Sequence, residues 1–178
     1  KEIKRSGGIL YRGSMRHILK YEIIDGKVDS ARVPKMMSYG YYLLFNELFK
    51  KKFGWYGRNG IFTISDEKFS HMFGQGYIFA PIGDYEYIWS PMIKDLNFFI
   101  DKLKVNLDHI FHGVKFSFGK FRNLNEIQDL QVREVFKYIV DTYIDDNLKD
   151  GIKGGHEIIF NCDKYILINR YHEGLFKK

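Results

Sequence analysis

Three short stretches, far apart in the chain, each set a chemically capable residue on an apolar run. They are Ile9-Leu10-Tyr11-Arg12-Gly13-Ser14, Gly60-Ile61-Phe62-Thr63-Ile64-Ser65 and Gly155-His156-Glu157-Ile158-Ile159-Phe160. An arginine presents a planar fork of donors that suits phosphate oxygens. Strand alternation turns Thr63 and Ser65 the same way, with Ile64 between them, so both hydroxyls can face one cleft. A carboxylate can hold a sugar hydroxyl and stabilise the positive charge that grows on a ribose in an oxocarbenium-like transition state. A cation for a pyrophosphate, a hydroxyl and a carboxylate for a ribose are the parts needed to bind and split a nicotinamide dinucleotide. Taken singly, each also has a plain structural reading: a surface arginine, a helix cap, an exposed strand glutamate.

The surrounding pattern shows how such residues could be positioned. Residues 9–12 and 61–64 read as buried strands. Between them Met37, Tyr41, Leu44, Phe45, Leu48 and Phe49 recur at helical spacing after Pro34, which predicts an amphipathic helix ending near Phe53-Gly54. The tyrosines Tyr39, Tyr41 and Tyr42 on it read mainly as core. Ser65 is placed to cap a short helix with Asp66 and Glu67 in its first turn. Two strands are expected near 77–80 and 85–89, parted by Pro81-Ile82-Gly83-Asp84. Ser90-Pro91 has the form of a helix start, with the helix running to about Lys104. Residues 105–122 show no sustained period. A further helix is expected after Asn123, with Glu126 completing a capping box and Ile127, Leu130, Phe136, Ile139, Val140, Tyr143 and Ile144 on its buried face. Glycines 151, 154 and 155 then lead into strands 157–161 and 164–169, joined by a turn at Asn161-Cys162-Asp163. The fold class is α+β, in one domain spanning 1–178, whole or part of a longer chain.

Composition narrows the classes. The chain of 178 residues is long enough to bury a real core. No apolar run approaches the ~18 residues of a membrane-spanning helix. The charged opening Lys1-Glu2-Ile3-Lys4-Arg5 has no apolar stretch behind it and does not read as a signal peptide. The single cysteine, Cys162, excludes an intramolecular disulfide and any cysteine-based metal framework, which fits a cytoplasmic setting. The formal charge of +6 favours an anionic partner, although the lysines are scattered. Gly74-Gln75-Gly76 is too short for a phosphate loop. His71 and His156 read as structural or solvent-facing.

In order and flanking pattern, the three stretches resemble the ADP-ribosyltransferase superfamily, in the class built on an arginine, a Ser/Thr motif and a glutamate. Tyr11-Arg12-Gly13 matches the strand ending in arginine. Phe62-Thr63-Ile64-Ser65 followed by Asp66 to Phe73-Gly74 matches the hydroxyl strand and its short helix. Glu157-Ile158-Ile159-Phe160 with Lys164-Tyr165-Ile166-Leu167-Ile168 matches the last motif. The likeness covers roughly 9–169, and the stretch from Arg58 to Leu96 also looks like phage-encoded members, which are effector-like and act in a host cytoplasm.

The resemblance implies a split core of two packed β-sheets flanked by helices, and NAD as substrate. It implies that Glu157 is catalytic, stabilising the oxocarbenium-like ribose, and that Arg12 holds the pyrophosphate or a ribose. Gly13 would meet the nicotinamide carboxamide through its backbone. Thr63 or Ser65 would orient Glu157 or touch the ribose, and Phe69 or Phe73 would stack on the nicotinamide. Arg32 and Arg58 are further candidates for contacting cofactor or acceptor, the acceptor being protein or nucleic acid. Family members that modify arginine carry a second glutamate two positions before the catalytic one; here that position is Gly155. Another acceptor, or water in an NAD glycohydrolase, fits that departure. Two readings of other classes stand beside this one: a non-catalytic basic and aromatic nucleic-acid-binding module, and a virion or scaffold protein.

Overall fold

A computed structural model of the chain describes residues 8–26, 37, 39–110 and 126–171. Among them are five strands, β1 (Leu10–Ser14), β2 (Tyr21–Asp25), β3 (Ile61–Thr63), β4 (Gln75–Trp89) and β5 (Ile158–Ile168). The helices are α1 (Tyr39–Phe53), α2 (Glu67–Ser70), α3 (Leu96–Ile110), α4 (Glu126–Asp141) and α5 (Leu148–Gly154). Short 3₁₀ turns occupy Gly57–Asn59 and His71–Phe73. The α+β class expected from the sequence holds. The described strands form one antiparallel sheet, ordered β1-β4-β5-β2 with β3 also on β5, where two packed sheets were expected.

Two long strands explain that single sheet. β4 and β5 pair from Ile78↔Ile168 to Trp89↔Ile158, with a register shift between Ile82 and Tyr85. β1 lies on the near half of β4, and β2 on the matching half of β5. β3 pairs with the other half of β5, at Phe160, Ile159 and Ile158. A bridge between Tyr11 and Ile64 then joins β1 to β3. The first and second motifs therefore become neighbours although β1 and β3 sit on different long strands.

Several expectations are corrected here. Pro81-Ile82-Gly83-Asp84 is a bulge inside β4 and not a break: Gly83 takes the left-handed turn at φ 80°. Pro81 lies two positions beyond Phe79, the last β4 residue paired with β1, and by strand alternation its nitrogen faces away from β5, so its missing N–H costs no β4–β5 ladder bond. Asn161-Cys162-Asp163 is likewise not a turn. Phe160 and Cys162 point inward while Asn161 and Asp163 point out, which is ordinary strand alternation. Helix α3 starts at Leu96, not Ser90, because Asp95 accepts from the Phe98 N–H and serves as its cap. The Ser90 hydroxyl instead accepts from Met92 and Ile93, closing a turn ahead of the helix. Asp66, not Ser65, caps α2. On α4, Leu130 is exposed, while Phe136, Ile139 and Val140 are buried as expected. Strand β2 and helix α5 were not anticipated. Asn123, Arg32 and residues 111–125 lie outside the described residues, as does the side chain of Ile127.

The core has two parts, one on each face of the β4–β5 pair. Ile88 and Ile159 turn toward α1, α3 and α4, where Phe45 packs tilted against Phe136 at 4.6 Å and Phe49 meets the Tyr143 ring edge-on at 4.9 Å. Trp89, Ile158 and Phe160 turn the other way, against Leu10, Tyr77, Phe79 and the α5 residues Leu148 and Ile152. Lys52, in the last turn of α1, ties the helical layer together by donating to the carbonyls of Val140, Asp141 and Tyr143 at 3.2, 2.8 and 2.7 Å. These carbonyls cluster at the C-terminal end of α4, where a cation is favoured. No helix of the described residues is long and apolar enough to cross a membrane.

Candidate active site

The turn before β3 is anchored by a polar residue on the buried face of α1. Asn46, 6% exposed, accepts from the Arg58 N–H at 2.8 Å and donates to the Asn59 side chain at 2.9 Å. The Tyr42 hydroxyl donates to the same Asn59 oxygen. Gly57 allows the close fit, since a Cβ there would stand 2.7 Å from the Phe49 ring. Thus fastened, the turn sends the Arg58 side chain into the interior. Its guanidinium lies over the Phe62 ring at 4.4 Å and donates through Nη2 to Asn97 Oδ1 at 3.3 Å.

Glu157 is held from the other side. Gly155 ends α5 at φ 70°, and His156 packs tilted against the Trp89 ring, centroids 5.2 Å apart, with its Nδ1 3.3 Å from the Ile93 carbonyl. The Glu157 N–H donates to the Lys94 carbonyl at 2.7 Å, fixing the residue just before β5 begins. The Thr63 hydroxyl donates to the Ile158 carbonyl at 3.0 Å. Glu157 is 7% exposed, and its Oε1 lies 3.7 Å from Arg58 Nη1.

Between these elements is a cavity of about 490 Å³, lined by residues from all three motifs: Arg12 and Gly13, Thr63, Phe69 and Phe73, and Glu157. Asp95, Asn97 and Arg58 complete its charged and polar wall. Met15 and Met72, also lining residues, are largely exposed, so the cavity opens to solvent beside them. Such a volume falls in the ~300–1,000 Å³ range of small-molecule sites. Ser65 is not among the lining residues; its hydroxyl donates to the Ile152 carbonyl at 2.6 Å and fastens α5 to the sheet. The chain matches no protein-family model, no curated protein and no solved structure.

Arg12 donates to the Phe62 carbonyl at 3.3 Å and lies 5.5 Å from the Tyr165 ring centre. Burial lowers its pKa from the ordinary value, with Tyr165 opposing that shift. Among the described residues its partners are the Phe62 carbonyl and Tyr165, neither of them a carboxylate. Gly13 packs tightly, for a Cβ would stand 2.3 Å from the Ser70 carbonyl oxygen and 2.7 Å from Phe73. Tyr11 bonds Ile64 through both its N–H and its carbonyl, so alternation turns the same groups of Gly13 to that edge of β1. The Tyr143 phenol is pushed well above its ordinary value by burial and then by Glu157, with Arg58 opposing and Asp95 adding, so it keeps its proton at neutral pH.

Sequence reading named Arg12, Gly13, Thr63, Phe69, Phe73 and Glu157, and the fold brings these to one cavity. It ranked Arg58 below Arg12, and it missed Asn46, Asp95, Asn97 and Tyr143. For Asn46 a signal existed: a carboxamide among Tyr42, Phe45 and Phe49 breaks an otherwise apolar face. The others carried none, because Asp95 and Asn97 sit where a helix was expected to be already under way.

Proposed function

We propose that the protein is a mono-ADP-ribosyltransferase that cleaves NAD between nicotinamide and ribose. Support comes chiefly from one observation: an arginine, a threonine and a glutamate from segments far apart in the chain line the same cavity. Glu157 accepts from the ribose 2′-hydroxyl and stabilises the cationic ribose as the C–N bond breaks. The bonding electrons leave with nicotinamide, and the acceptor's nucleophile forms the new bond to the same carbon while releasing its proton. Arg12, whose partners bring no negative charge, suits the pyrophosphate. Phe69 and Phe73, with ring centres 6.1 Å apart, offer an aromatic wall for the nicotinamide.

The acceptor side has its own evidence. Gly155 stands two positions before Glu157 at φ 70°, a conformation that side-chain-bearing residues rarely adopt. A carboxylate at that position would be strained, which favours an acceptor other than arginine, or water. Incubating the purified chain with NAD, with and without a cell lysate, tests the proposal. Nicotinamide release is expected from wild type and not from Glu157→Gln, with ADP-ribose transferred to a lysate component. Release in buffer alone, without transfer, makes the protein a glycohydrolase. Unchanged release by Glu157→Gln removes that residue from the mechanism, and no release at all favours the nucleic-acid-binding alternative.

A further inference from the structure

The cavity contains a second guanidinium, from Arg58, that NAD cleavage by Glu157 and Arg12 does not require. It is 6% exposed, and among the described residues its Nε and Nη1 have no hydrogen-bond partner. Buried arginines that serve stability alone engage their donors, because each unmet one carries a desolvation cost. Arg58 does not close onto its carboxylate partner in a fork. Stacking on Phe62, the bond to Asn97 and the pinned backbone hold it at 3.7 Å from Glu157 Oε1. At that separation a guanidinium contributes its charge without taking up the carboxylate's oxygens.

We propose that Arg58 is a positioning residue for Glu157: it supplies a counter-charge that favours the ionised form of the buried carboxylate while its own guanidinium stops short of hydrogen-bonding Oε1. A phosphate role fits Arg58 less well than Arg12, because Glu157 and Asp95 share the Arg58 wall and would repel an anion. Among the described residues, the titratable groups near Glu157 include Arg58 from the turn before β3, Tyr143 just after α4, Asp95 from the segment before α3, neighbouring His156, and Arg12 on β1 lining the same cavity. Of these described groups, Arg58 is a cation within ion-pair distance of Glu157. The consequence for turnover rests on the NAD-cleaving function proposed above; the pairing itself does not.

The test follows the Glu157 carboxyl by ¹³C NMR in the full chain, its signal assigned by loss in Glu157→Gln. Arg58→Met keeps the apolar contact with Phe62 and removes the charge, Arg58→Gln keeps a donor, and Arg58→Lys keeps the charge. Loss of a counter-ion in a buried site raises a carboxyl's midpoint, here by an expected one pH unit or more, about tenfold in proton affinity, in Arg58→Met and Arg58→Gln. Arg58→Lys is expected to stay near wild type. If Arg58→Met does not fold, the contrast between the Gln and Lys variants decides. In NAD cleavage, the acid limb of the pH–rate profile moves upward with the charge-removing variants, and kcat falls while KM stays within about threefold. A Glu157 midpoint unmoved in folded charge-removing variants overturns the proposal, as does a raised KM at constant kcat. Wild-type protein that releases no nicotinamide overturns the NAD-cleaving function alone, and the NMR titration still decides the pairing.

Discussion

The Thr63 hydroxyl donates to the carbonyl of Ile158 at 3.0 Å, fastening the second motif to the residue that follows Glu157. Ser65 makes the parallel bond to Ile152 on α5 and does not line the cavity. The two hydroxyls of one motif therefore do different jobs. Thr63→Val is expected to cost about 1–3 kcal/mol, the range for a buried partner left unmet, and to slow nicotinamide release. Ser65→Ala is expected to lose comparable stability with KM for NAD unchanged. Urea unfolding beside steady-state kinetics separates them; a raised KM in Ser65→Ala would return Ser65 to the binding site.

Arg12 has no carboxylate among the partners described above, which leaves its charge available to a ligand. Arg12→Met is expected to weaken ADP-ribose binding tenfold or more, on the ~1.5–3 kcal/mol scale of hydrogen bonds to charged groups. Nicotinamide alone, lacking the pyrophosphate, is expected to bind both proteins equally. Calorimetric titration with each ligand checks this, and equal ADP-ribose affinities would place the pyrophosphate elsewhere.

Gly13 meets the α2 segment so closely that a single added carbon would stand 2.3 Å from the Ser70 carbonyl oxygen. Gly13→Ala is expected to lower stability by about 1–3 kcal/mol, as over-packing does, and to push Phe73 across the cavity. Thermal unfolding gives the first readout and NAD binding the second. An unchanged melting temperature would mean that residues 70–73 move aside freely.

Burial raises the Cys162 thiol from 9.0 to about 11, with Asp163 adding and Arg12 opposing. The unfolded chain therefore gives up this proton before the folded one does. The resulting stability is complete below pH 9 and is lost as pH rises from 9 to about 11. The stability difference between wild type and Cys162→Ala is expected to shrink over that window in urea titrations. In native protein at pH 8, iodoacetamide is expected to react slowly with the thiol, and quickly once urea exposes it. Fast native alkylation would show that the thiol is not shielded.

Much of this protein was written in local patterns. The helical spacing of Tyr41, Leu44, Phe45 and Phe49 marked α1, because a buried helix face repeats within a few residues. The arginine, hydroxyl and glutamate stretches were visible for the same reason, each setting a chemically capable side chain against a short apolar run. Where Pro81, Gly83, Asn161 and Asp163 stood, local signals misled: turn-forming residues also suit a bulge, an open edge or the outward face of a long strand. Strand pairing, not residue preference, settled those places.

The primary structure thus fixed which groups were on offer: Arg12, Thr63, Ser65 and Glu157, each on its own segment. Folding chose among them and added others. It turned Thr63 toward the cavity and Ser65 toward α5, set Arg58 beside Glu157, and drew in Asp95 and Asn97. Periodicity along a chain encodes which face is buried. Which buried faces meet depends on the Tyr11–Ile64 bridge and the long β4–β5 pairing, contacts between residues that no local window contains.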